Sequence, residues 1–112
     1  MNKKIKQKWL EALRSGQYKQ CKETLTNGEG FCCLGVLCNI HALEHNKVWE
    51  NEFAPRYFNC FAYLPKQVMK WSEVKSIDGE FIDGYHNCCS LAILNDEGKS
   101  FKEIVDIIEK YF

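Results

Sequence analysis

No stretch of this sequence is apolar for the ~20 residues that a bilayer crossing needs. The longest such run, Phe31 to Cys38, is far shorter. Met1-Asn2-Lys3-Lys4 leads directly into an amphipathic pattern, without the apolar core of a secretory signal. These absences argue against a membrane partner and place the chain in the cytoplasm. A Cys-x-x-Cys knuckle is also missing, which removes the usual framework of a structural zinc. Nothing follows the Walker or dinucleotide glycine patterns. There is no internal repeat and no low-complexity bias, and formal net charge is zero, whereas a nucleic-acid binder usually carries a basic domain, so DNA and RNA are not expected as partners.

What remains is the composition of an ordinary globule. At 46% hydrophobic and 27% charged, the 112 residues are too apolar for a disordered tail and sufficient for one domain, 1–112, with a real core. The seven cysteines (21, 32, 33, 38, 60, 88 and 89) are odd in number and include two adjacent pairs. Without a signal peptide they read as reduced, mostly buried thiols rather than a disulfide framework.

Charge is segregated along the chain. Residues 1–26 hold seven bases and two acids, and residues 73–112 hold nine acids and four bases. Either the two ends lie together and offset one another, or the basic N-terminal segment faces an anionic ligand.

Hydrophobic periodicity predicts an N-terminal helix over Lys3–Arg14, with Ile5, Trp9, Leu10 and Leu13 on one face and Ser15-Gly16 ending it. Asn27-Gly28 is a hairpin signal, pairing Glu23–Thr26 with Glu29–Cys32. The second strand would run straight into Cys33–Leu43, which is apolar on nearly every side and is therefore the expected central, buried helix. Two short strands, Lys47–Glu52 and Tyr57–Tyr63, are expected around Pro55. A short helix follows over Leu64–Trp71, with Pro65 in its first turn. Asp78-Gly79 and Asp83-Gly84 mark a loop or weak hairpin. A helix over Cys88–Leu94, a turn over Asn95–Lys99 and a final helix over Phe101–Lys110 complete the chain, the last introduced by the capping box Ser100-Phe101-Lys102-Glu103. The expected class is α+β: an N-terminal helix, a β-hairpin leading into a central buried helix, a small antiparallel sheet and C-terminal helices.

Several groupings invite chemistry. Cys38, His41 and His45 share a helical face, as metal ligands do, yet lack a fourth ligand, so no metal is expected and buried packing explains them. Cys32 or Cys33 at a strand-to-helix junction, with His86 as base, suggests a thiol hydrolase, but Phe31, Leu34 and Val36 make the surroundings apolar, which raises a thiol pKa. Asp78 with Asp83, or Asp96 with Glu97, are explained by turn chemistry before acid–base catalysis. Two polar turns offer better candidates. Arg14 to Gln20 combines a guanidinium, the Tyr18 ring, Lys19 and an amide, groups suited to phosphate and nucleobase recognition. Asn95, Asp96, Lys99 and Ser100 lie before a helix N-terminus whose free N–H groups attract anions.

Three blocks carry a resemblance: Trp9-Leu10-Glu11-Ala12-Leu13-Arg14-Ser15-Gly16 with Tyr18 and Gln20, then Phe31-Cys32-Cys33-Leu34-Gly35-Val36-Leu37-Cys38, then Leu94-Asn95-Asp96-Glu97-Gly98-Lys99-Ser100-Phe101 with Glu103-Ile104. In order and spacing they resemble a family of small bacteriophage and prophage proteins; residues 46–85 match no fixed motif of it. The resemblance implies a small intracellular phage protein and by itself supplies no catalytic residue; accessory phage proteins of this size often act by binding. The leading expectation is a non-enzymatic counter-defence protein that sequesters a small anionic ligand such as a cyclic nucleotide, with no cofactor. Arg14 and Lys19 would meet phosphate, Tyr18 would stack, Gln20 and Asn95 would read a base edge, and Asp96, Lys99 and Ser100 would complete the site. The alternative is a protein–protein interaction module acting on a host protein, favoured if Tyr57, Phe58, Phe61 and Tyr63 form an exposed patch. Third comes the Cys-dependent hydrolase. A homo-oligomer is compatible with each.

Overall fold

The N-terminal helix packs both on the apolar run that begins at Phe31 and along the C-terminal helix. A computed structural model describes residues 1–112 and contains, in order, α1 (Lys3–Arg14), α2 (Cys33–Glu44), α3 (Lys66–Ser72), β1 (Glu80–Ile82), β2 (Cys88–Ser90), α4 (Leu91–Asp96) and α5 (Phe101–Tyr111). The class is α+β, with a single two-stranded antiparallel sheet pairing Phe81 with Cys89. No helix is long and apolar enough to cross a membrane.

The terminal helices follow their sequence signals closely. Asn2 caps α1 by accepting from the Ile5 N–H at 3.0 Å, and Ile5, Trp9, Leu10 and Leu13 are buried. Trp9 fills the centre without stranding its polar atom, since its indole N–H donates to the Cys33 carbonyl at 2.9 Å. In α5 the Ser100–Glu103 capping box forms as expected, and Phe101, Ile104, Val105 and Ile108 face inward. Helix α1 packs along α5, so the basic and acidic ends of the chain do meet. Arg14 pairs with Glu109, and the Lys6 ammonium donates to the Glu109 carbonyl at 3.2 Å.

Helix α2 is the spine. Cys33 to Cys38 are all buried because α1, α3 and α4 each pack against the helix. Burial of this kind contributes about 1.5–3 kcal/mol per large aliphatic side chain. Gly35 is where the helix meets the preceding segment: a Cβ there would lie 1.8 Å from the Leu25 carbonyl oxygen, so only glycine fits.

Four local expectations are corrected. The Glu23–Thr26/Glu29–Cys32 hairpin does not form as two strands. Asn27 instead folds its carboxamide over the turn, Oδ1 accepting from the N–H groups of Glu29 (2.9 Å) and Gly30 (2.7 Å), while of the pair only Gly28 has a left-handed φ, +90°. Phe31 then makes single bridges to Thr26 and, on its other side, to Gln20, which splits the pairing between two segments.

Strands Lys47–Glu52 and Tyr57–Tyr63 are likewise absent. Only two reciprocal backbone pairs tie this region, Glu50 with Arg56 and Tyr57 with Cys60. The second closes over Phe58 (φ +47°) and Asn59 (φ +62°), so the two positive φ angles that a tight two-residue hairpin turn needs occur here and not at Asn27-Gly28. Tyr57 and Phe58 turn onto each other and onto His41, and Trp49 packs on Tyr57, instead of alternating across a sheet.

The predicted helix at Cys88 starts three residues later. Cys88–Ser90 is claimed by pairing with β1, and Ser90 then caps α4. Pro65 precedes the first turn of α3 as its cap rather than sitting within it.

Candidate functional site

The two polar turns singled out in the sequence are brought side by side, and Asn95 joins them. Its Oδ1 accepts from Gln20 Nε2 at 2.8 Å and from the Cys33 N–H at 3.2 Å, and its Nδ2 donates to the Cys21 carbonyl at 2.8 Å. Gln20 Nε2 also reaches the Lys99 carbonyl at 2.7 Å. Asn95, expected to read a base edge, is wholly buried, with its amide engaged in this cross-bracing. Low dielectric strengthens such a network when every member is satisfied, and no buried side-chain polar atom in the protein lacks a partner.

The other expected ligand residues divide. Arg14 is exposed and paired with Glu109. Tyr18 is half-buried, its hydroxyl accepting from Asn39 Nδ2 at 2.9 Å and its ring in a T-shaped pair with Phe31. Lys19 is exposed, and Lys99 leans 3.6 Å from Glu103. Ser100 Oγ accepts from the Glu103 N–H, and Glu103 Oε1 accepts from the Ser100 N–H, occupying donors expected to attract an anion. The bonds from the Ser100 backbone and hydroxyl hold the Glu103 carboxyl below its ordinary range.

Asp96 points elsewhere, and following it leads to a cleft. One Asp96 oxygen accepts from the Glu23 N–H at 2.8 Å, which secures Glu23 in a left-handed conformation (φ +69°) that costs a non-glycine residue energy. Both residues line a lobe of about 220 Å³ with Thr24, Tyr63, Asp78 and Ile93. A second lobe of about 290 Å³ adjoins it, sharing Asp78, Ser90 and Ile93 and adding Glu80 and Glu97. Five carboxylates therefore border the two lobes, and no lysine, arginine or histidine does. Tyr63 and Ile93 remain 52% and 56% exposed within this acidic rim. Only Asp96 of the expected site residues contributes. Glu23 and Ile93 were missed because the cleft is built from separate segments with no common spacing; Tyr63 was expected only as part of an aromatic patch, and Asp78 before Gly79 only as turn chemistry.

The thiol and metal candidates resolve by burial. Cys32 caps α2, its sulfur accepting from the Gly35 N–H at 3.3 Å, and burial pushes its thiol up to about 12. Cys33 and Cys38 are likewise raised well above an ordinary thiol by burial. His86 stands exposed on the loop between β1 and β2 while Cys33 is fully buried, so the expected thiol–base pair is not assembled. All seven cysteines are free, four of them buried, whereas Cys88 is exposed. No three histidine, cysteine or carboxylate groups converge to hold a metal. His41 bonds the Tyr57 hydroxyl through Nδ1, and burial lowers its pKa to about 4. The expected four-member aromatic patch is split: Tyr57 is buried and Phe58 half-buried, leaving Phe61 and Tyr63 exposed.

Fold and site together define a small α+β protein with a braced core and an acidic, partly apolar surface cleft. The chain belongs to the family described as Domain of unknown function (DUF8296), which matches residues 1–112. No curated protein and no solved structure matches it.

Proposed function

We propose that the chain is a non-enzymatic protein–protein interaction module, a phage-encoded factor that regulates or inhibits a host protein through the cleft between Glu23, Tyr63, Asp78, Ile93 and Asp96. The observation that carries this reading is the composition of the cleft: bordering carboxylates without a countercharge, set around two half-exposed apolar side chains. Such a surface suits a partner offering cations around an apolar anchor, with the apolar contact supplying affinity and the charges steering association. The strained Glu23 backbone at the rim fits a functional surface better than a purely structural turn. The test is capture from host lysate by immobilised protein, compared with an Ile93→Asp variant and a Lys66→Glu control on α3. A partner retained by the control and lost by Ile93→Asp supports the reading. A partner held equally by all three, or none at all, removes it.

A second reading, sequestration of a small anionic ligand such as a cyclic nucleotide, draws on one observation. Gln20 brings the turns carrying Lys19 and Lys99 together, and both ammonium groups are exposed. Against it stand the pairing of Arg14 and the burial of Asn95. A ligand at about 100 times its Kd stabilises the fold by ~2.7 kcal/mol, so a thermal-shift panel of cyclic nucleotides decides the matter, flat curves removing the idea.

A further inference from the structure

The sheet has only two strands, so β1 keeps an open edge. Gly79 and Asp83 mark the ladder: the Leu91 N–H donates to the Gly79 carbonyl at 3.0 Å and the Asp83 N–H to the Asn87 carbonyl at 3.0 Å. Because bonded pairs alternate along an antiparallel ladder, Phe81 turns its N–H and C=O toward Cys89, while those of Glu80 and Ile82 point away from β2. The Glu80 N–H is taken by Ser76 Oγ at 2.6 Å, consistent with that outward direction. The Ile82 N–H, the Ile82 C=O and the Glu80 C=O have no partner outside the ladder.

This edge borders a groove of about 280 Å³. Glu80, Phe81 and Ile82 all line it, and no residue of β2 does. Successive strand residues face opposite sides of a sheet, so a groove touching all three must run along the edge. Val74 and Lys75 form part of the opposite wall, and Phe81, stacked 5.0 Å from Tyr111, builds an aromatic floor with Phe112.

We infer that β1 is a strand-addition site that takes an extended segment of a partner protein, running antiparallel, with an apolar residue opposite Phe81 and a lysine or arginine opposite Glu80. The backbone of that segment exchanges both its N–H and C=O with Ile82 and donates one N–H to the Glu80 carbonyl. Its apolar side chain lies on the same face as Phe81 and so rests on the aromatic floor. Charge complementarity selects the cation, since Glu73 and Glu80 outnumber Lys75 in the groove. Of the cleft residues only Glu80 is shared, so the two surfaces succeed or fail separately.

The probe is the peptide acetyl-Thr-Val-Leu-Lys-Thr-amide, titrated into isotope-labelled protein and followed by amide chemical shifts. The expected result is saturable shifts greatest at Ile82 and its neighbours. N-methylation of the peptide valine, which removes the group donated to Ile82, should weaken binding about tenfold, as should glutamate in place of lysine. Ile82→Pro removes the outward donor while leaving the ladder bonds of Phe81 in place, and it should abolish the response. Shifts absent at Ile82, shifts gathered instead at Asp78 and Ile93, or equal binding of the N-methylated peptide would each overturn the inference; the peptide controls do not depend on how Ile82→Pro folds.

Discussion

Gln20 and Asn95, 75 residues apart in sequence, share a 2.8 Å hydrogen bond that ties the segment after α1 to the end of α4. Through the remaining atoms of Asn95 the bond extends to Cys21 and to the first turn of α2. The chain's two most polar turns thereby become one brace across the domain. Replacing Asn95 with alanine leaves the Cys33 N–H and the Cys21 carbonyl buried without these partners. The expected loss is about 3 kcal/mol in urea unfolding, against about 1 kcal/mol for Gln20→Ala, whose site is partly open to water.

Gly35 is expected to tolerate no side chain. A methyl group cannot coexist with the Leu25 carbonyl, so Gly35→Ala must displace α2 or the segment before it. A loss of more than about 2 kcal/mol is expected, even though alanine is the better helix former by about 1 kcal/mol. Thermal unfolding decides it: a rise in Tm would mean that propensity outweighs the close contact.

Acid should destabilise the protein before carboxylates titrate. His41 has a folded pKa of about 4, lowered first by burial and then by the neighbouring His45, against an ordinary 6.5. The unfolded chain takes up this proton first, so stability is full above about pH 6.5 and falls as pH drops toward 4. Denaturation at pH 7, 5.5 and 4.5 should show this slope, and His41→Gln should flatten it. The lowered carboxyls of Asp83 and Glu103 add their own loss further into acid.

Thiol accessibility should divide the cysteines sharply. Cys88 is exposed and should react with a disulfide reagent in the native state, whereas Cys32, Cys33 and Cys38 should react only on unfolding. Rapid native labelling of Cys32 near neutral pH would contradict its raised pKa and revive the nucleophile reading.

The Ser100 capping box should stabilise α5 measurably. Ser100→Ala removes the acceptor for the Glu103 N–H, with an expected cost of about 1 kcal/mol by chemical denaturation. Glu103→Gln should cost less, because its side-chain carbonyl can still accept from the Ser100 backbone.

Local signals were sufficient for α1, α2 and α5. Their caps, their apolar spacing and the continuous run after Cys32 act within a few residues, so the sequence by itself determined both their positions and the burial of Cys32 to Cys38. The α+β class followed from the same periodicities, although the sheet formed at Glu80–Ile82 and Cys88–Ser90 rather than in the aromatic middle. Tertiary structure alone decided the rest. Whether Tyr57 alternates in a strand or turns onto His41 depends on what α2 leaves uncovered, and whether Asn95 faces solvent or the core depends on where Gln20 and Cys21 arrive. The cleft is the furthest from sequence: Glu23, Tyr63, Asp78 and Asp96 have no common period, and they converge only because long-range backbone donors tie their segments together, Leu25 to the Phe61 carbonyl, Ala92 to the Asp78 carbonyl and Glu23 to the Asp96 carboxylate.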